Sequence, residues 1–167
     1  MNKDEANSIL NRLMTPAFEK AVLCALIDGI GIYEECLSGH RALGEWYQTN
    51  VDSRVLSASV FTGFDEFNWS DLGFEIERYK QTSSHRMRLK NQELEIDLIR
   101  DGDRRAKFIK KKIALNRPSF GSLPRYCLIN YSINTQCLRL SKVSLVIPKC
   151  TRSNLAQRNL EVHIDEG

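Results

Sequence analysis

Apolar residues recur at helical spacing through the first third of the chain. Ile9, Leu10, Leu13 and Met14 form one short stripe. Thr15-Pro16 then marks a restart, with Thr15 suited to an N-cap and Pro16 to a first helical turn. Phe18, Ala21, Val22, Ala25 and Leu26 follow at i, i+3, i+4, i+7 and i+8, which predicts a strongly amphipathic helix. Asp28-Gly29 and Gly31 are expected to weaken or end it. Leu43, Trp46 and Tyr47 suggest a further helical segment over 41–48, and Asp52 or Ser53 could cap another running to about Phe61.

The period then changes. Asn68 to Asp71 reads as a turn, and Leu72 to Lys80 alternates, with Leu72, Phe74, Ile76 and Arg78 on one parity. Thr82 to Ser84 reads as a hairpin loop. In Arg86 to Leu98, Leu94, Ile96 and Leu98 oppose Glu93, Glu95 and Asp97. Met87 and Leu89 share the acids' parity, so a turn or bulge at Lys90 to Gln92 must change the face. Tyr126 to Ile133 predicts a strand with Cys127, Ile129, Tyr131 and Ile133 inward, and Val143, Leu145 and Ile147 predict another that Pro148 ends.

Two readings compete after Arg100. Asp101-Gly102 fits a hairpin turn leading to a strand over 103–109. Alternatively, Asp103 caps a basic helix over 104–115, with Ala106, Ile109 and Ile113 on one face; the Ala, Lys and Arg content favours this. Residues 116–124, with two prolines and a glycine, read as a loop. The expected architecture is one α+β domain, an N-terminal helical layer packed on a mostly antiparallel sheet. Residues 1–68 are its mainly helical part, 69–150 its mainly β part and 151–167 a polar tail that Leu155, Leu160, Val162 and Ile164 could partly dock.

Composition adds a boundary. At 42% hydrophobic and 27% charged, the 167-residue chain has the balance of an ordinary globular domain. The cysteines, Cys24, Cys36, Cys127, Cys137 and Cys150, are odd in number and lack metal-knuckle spacing. That disfavours a disulfide framework and fits a reducing cytoplasm. Neither a leader peptide nor a bilayer-spanning run is expected: the longest apolar run, Ala21 to Ile27, is too short.

Charge changes the picture more. The net charge of +3 conceals two unlike halves. Residues 104–160 contain 13 Lys and Arg and no Asp or Glu, whereas residues 1–103 contain 11 basic and 18 acidic side chains. Such asymmetry points to an anionic partner, or to pairing between the halves. The densest cations, Arg104, Arg105, Lys107, Lys110, Lys111 and Lys112, are the candidate nucleic-acid contacts; the bland alternative is a solvated face. No aromatic stacking motif accompanies them.

The acids Glu93, Glu95 and Asp97 are spaced to share one strand face and to offer oxygens to Mg²⁺. A nuclease of that kind also needs a lysine beside them, and none follows two residues on; pairing with Arg86 and Arg88 across a hairpin is the plainer expectation. His40, His85 and His163 lie far apart, and Gly29-Ile30-Gly31 is too short for a phosphate loop. Phe61, Phe64, Phe67, Trp69 and Phe74 are expected at the seam between helices and sheet rather than on an exposed anchor.

Three functions of different classes follow. The first is a non-catalytic protein that binds DNA or RNA through the basic surface after residue 100. The second is a protein-binding regulator, an inhibitor or antitoxin-like factor with an acidic partner or a second copy of itself. The third is a metal-dependent nuclease using Glu93, Glu95 and Asp97. No catalytic residue, resident metal or cofactor is assigned, and no membrane partner is expected.

Overall fold

The computed structural model describes residues 1–39, 52–81, 84–101, 109, 112–116, 124–150 and 152–162. Helix α1 spans Lys3–Leu13, α2 Pro16–Ser38 and α3 Ser53–Glu66. Side chains start all three. Asn2 accepts from Glu5 N, Thr15 from Phe18 N, and Asp52 from Arg54 N and Val55 N. The expected helix over 41–48 lies outside the described residues.

One expectation fails in α2. The helix does not end at Gly29 or Gly31 but continues to Ser38. Gly29 and Gly63 lie where α2 crosses α3. A Cβ built on Gly63 would sit 2.5 Å from Ala25 O and 2.6 Å from Gly29 N, and one on Gly29 would sit 2.5 Å from Val60 Cα. These glycines are therefore contact surfaces that let two backbones approach, and the cost to helix propensity is offset by packing.

A 3₁₀ turn, Trp69–Leu72, leads into the sheet, and Gly73 ends it at φ +80°, a conformation glycine adopts without strain. The strands are β1 Glu75–Gln81, β2 Ser84–Lys90, β3 Leu94–Arg100, β4 Arg125–Asn134, β5 Arg139–Pro148 and β6 Asn154–Leu160. They lie side by side in chain order, and every neighbouring pair is antiparallel except β3 with β4. The fold is α+β, as the patterning predicts. Sequence position 151–167, expected as a polar tail, supplies the edge strand β6. Its alternation is masked because Arg158 faces the helices and reaches Asn11 Oδ1 at 3.1 Å.

Parallel pairing of β3 and β4 demands a crossover, which rules out a simple hairpin after Asp101. Of that crossover the structure describes Ile109, in helical conformation, Lys112, and a short 3₁₀ turn, Ile113–Asn116. The remainder of the expected 104–115 helix lies outside the described residues.

The sheet thus has two unlike faces. Met87, Leu89, Leu94, Ile96, Leu98, Cys127, Ile129, Tyr131, Val143, Leu145 and Ile147 form the main core with the helices. The turn at residues 91–93 brings β2 and β3 to the same face, as the parity argument requires: Asn91 Oδ1 accepts from Glu93 N and Leu94 N. The aromatic cluster is this seam. Phe64 stacks on Trp69 at 5.3 Å, Phe18 meets Phe74 at 5.6 Å, and Trp69 Nε1 donates to Phe64 O. On the opposite face a smaller core joins Ile99, Ile109, Tyr126, Leu128 and Val146 beneath the crossover.

Candidate nucleic-acid interface and the ionic cluster beside it

Most of the candidate cations, Arg104, Arg105, Lys107, Lys110 and Lys111, lie outside the described residues. Lys112 is described, and its ammonium is 3.0 Å from Glu95 Oε2. The remaining described cations of the acid-free stretch divide into two ends of β5. Arg139 and Lys142 sit at its start, opposite Asn134 and Ser132. Asp101, where the crossover leaves the sheet, is at the same end: its N–H donates to Tyr131 O and its carboxylate accepts from Ser132 Oγ. Lys149 and Arg152 lie at the other end, in the turn from β5 to β6. All four side chains are exposed, and none forms an ion pair with a described carboxylate. Arg125 and Arg158 are half-buried and donate to protein acceptors, Leu115 O and Asn11 Oδ1.

The acids of the ladder follow a different arrangement. Glu93 is in the β2–β3 turn, exposed, and does not share the strand face. Glu95 and Asp97 project from β3 onto the crossover face and are buried there, with Arg88 between them. Arg88 Nε and Nη2 grip Asp97 at 2.7 and 3.1 Å, and Arg88 Nη1 reaches Glu95 Oε2 at 3.3 Å. The paired, planar donors of arginine suit this two-pronged contact. Tyr126 completes the set by donating its phenol to Asp97 Oδ2 at 2.6 Å. Burial, and then the adjoining Asp97 carboxylate, push the Tyr126 phenol well above its usual range. Tyr126 therefore serves as a fixed donor.

The arrangement compensates two buried carboxylates with one guanidinium, one ammonium and one phenol. Lone buried charges would be very unfavourable, whereas a mutually bonded set is tolerated. Register explains it: Arg88 pairs with Asp97 and Lys90 with Glu95 across the antiparallel β2–β3 ladder. The hairpin partner Arg88 was legible in the sequence. The contribution of Tyr126, across a parallel pair and after a crossover, was not. Among the described residues, no three carboxylate, imidazole or thiol side chains converge as a metal site would need. The His85 side chain, His40 and His163 lie outside the described part.

The crossover is pinned at its far end by Asn116. Its side chain donates to Tyr126 O at 3.0 Å and Pro148 O at 3.4 Å, and accepts from Tyr126 N at 2.9 Å. Its own carbonyl accepts from the Met1 ammonium at 3.0 Å. Nothing in the sequence marks this asparagine. Its importance comes from burial between β4 and β5.

Two cysteines contrast. Cys127 is buried in the core, which pushes its thiol up to about 12. Cys150 is exposed at the β5–β6 turn, and its thiol is lowered by the Ser153 hydroxyl and then by the Arg152 backbone N–H. No helix among the described residues is long and apolar enough to cross a membrane. No known family, curated protein or solved structure matches the chain.

Proposed function

We propose that this chain is a non-catalytic nucleic-acid-binding protein whose cationic surface is built from the sequence after residue 100. The observation that carries this reading is the exposure of Arg139, Lys142, Lys149 and Arg152 without a described carboxylate in ion-pair contact. Among the described residues, no acid of the first half pairs with these four. Separation favours a polymer over a small phosphate ester. Ten residue steps part Arg139 from Lys149, and at the rise of a strand that is about 30 Å, close to one turn of duplex.

The crossover carries the densest run of cations in the sequence, and it leaves the sheet at the Arg139–Lys142 end. A track for a sugar–phosphate backbone along β5, from Arg139 and Lys142 to Lys149 and Arg152, is the arrangement the described cations support. Among the described residues no aromatic platform accompanies it, so the expected mode is backbone contact with weak sequence preference.

The test is fluorescence anisotropy with labelled duplex and single-stranded oligonucleotides over 20–300 mM NaCl. The expected result is binding whose logarithm falls linearly with log salt, with a slope that shrinks by about 0.9 on duplex for each phosphate-contacting cation removed. Lys142→Glu and Arg152→Glu should each weaken binding, and Lys20→Glu, on α2, should not. Absence of binding at 20 mM NaCl, with capture of an acidic protein instead, would transfer the surface to the protein-binding reading.

A further inference from the structure

We infer that Glu95 acts as an internal competitor for the basic surface, holding Lys112 away from a bound polyanion. This deepens the nucleic-acid reading above and rests on it. The ionic cluster has a buried part and an exchangeable part. Asp97 is served by Arg88 through two nitrogens and by the Tyr126 phenol, with no contribution from Lys112. Glu95 Oε2 has two cationic partners, Arg88 Nη1 at 3.3 Å and Lys112 Nζ at 3.0 Å. The Arg88 and Glu95 side chains are each 9% exposed, whereas Lys112 is 33% exposed. Lys112 is thus the cation that faces solvent, and its departure would leave both carboxylates with an arginine partner.

Position makes the contact consequential. Lys112 ends the run Lys110-Lys111-Lys112, the densest positive charge in the chain. It is anchored on both sides: Ile109, whose carbonyl accepts from Lys112 N, belongs to the small core with Ile99, Tyr126, Leu128 and Val146, and Ile113 packs against that core. Glu95 is therefore a fixed anion presented to a cation on the edge of the proposed track. A phosphate that takes Lys112 must first win it from Glu95, and Glu95 also repels that phosphate. The contact tunes affinity downward.

The experiment is the salt dependence of duplex binding by anisotropy for the wild type, Glu95→Gln, Lys112→Met and the double variant. The thermal unfolding of each is measured alongside. In the wild type Lys112 is held by Glu95, so Lys112→Met should leave the slope unchanged. Glu95→Gln should release Lys112, steepening the slope by about 0.9 and tightening low-salt binding several-fold. The double variant should return to the slope of Lys112→Met.

A wild-type slope that falls by about 0.9 in Lys112→Met would overturn the inference, since Lys112 would already hold a phosphate. A gain in Glu95→Gln that survives in the double variant would overturn it too, as general charge repulsion. If Glu95→Gln does not fold, the Lys112→Met slope alone decides. Failure of the wild type to bind any oligonucleotide at 20 mM NaCl rejects the function itself. Wild-type binding with an unaltered Glu95→Gln slope rejects only the competitor role.

Discussion

Gly63→Ala should destabilise this protein even though alanine is the better helix former. Alanine in place of glycine within a helix is worth about 1 kcal/mol. At Gly63 the added Cβ would lie 2.5 Å from Ala25 O, 2.6 Å from Gly29 N and 2.8 Å from Gly29 Cα. All three are backbone atoms of α2, so no rotamer change relieves the clash, and the helices must part. Overpacking of that kind costs about 1–3 kcal/mol, and a rigid neighbour places it at the upper end. The net expectation is a loss of about 2 kcal/mol, or a fall in Tm of about 4–8 °C for a domain of this size. Gly31→Ala is the matched control. Its Cβ would meet nothing within 4 Å, so only the propensity gain remains, and Tm should rise by about 2–4 °C. Urea denaturation followed by far-UV circular dichroism, with thermal melts, measures both. A Gly63→Ala variant as stable as the wild type would refute the close-crossing account of α2 and α3.

Three further outcomes are expected. Arg88→Met should cost about 3–5 kcal/mol in urea denaturation, because Glu95 and Asp97 lose the cation that bonds both; a loss under 1 kcal/mol would show that the carboxylates find water instead. Asn116→Ala should cost about 2–3 kcal/mol, since Tyr126 N–H and the carbonyls of Tyr126 and Pro148 lose a buried partner. Faster proteolysis within 101–124 is its second readout. Alkylation by iodoacetamide, mapped by mass spectrometry, should mark Cys150 and spare Cys127 in the native state. Its rate at Cys150 follows the thiolate, so a lowered pKa carries reactivity to lower pH than an unperturbed thiol shows. Ser153→Ala should shift that profile back up.

Local periodicity determined much of the architecture. The 3.6-residue stripe of α2 and the two-residue alternation of β3 to β5 each state which side chains must leave water, and burial acts on those side chains directly. That is why the α+β class, the aromatic seam and the face-changing turn before Leu94 were readable from the chain. Pairing of Glu95 and Asp97 with Arg88 was also readable in outline, because a hairpin partner lies close in sequence.

Tertiary structure decided what depends on distant approach. Gly29 reads locally as a helix stop, and only the presence of Gly63 on α3 makes it an interior contact. Residues 154–160 read as polar because an edge strand half covered by α1 has little apolar alternation to show. The parallel pairing of β3 and β4 brought Tyr126 to Asp97 and Lys112 to Glu95, across sequence separations that no local pattern encodes. A basic run announces its charge in the sequence. Which of its cations remain available to a partner is settled by the acids that folding sets beside them, and for Lys112 that acid is Glu95.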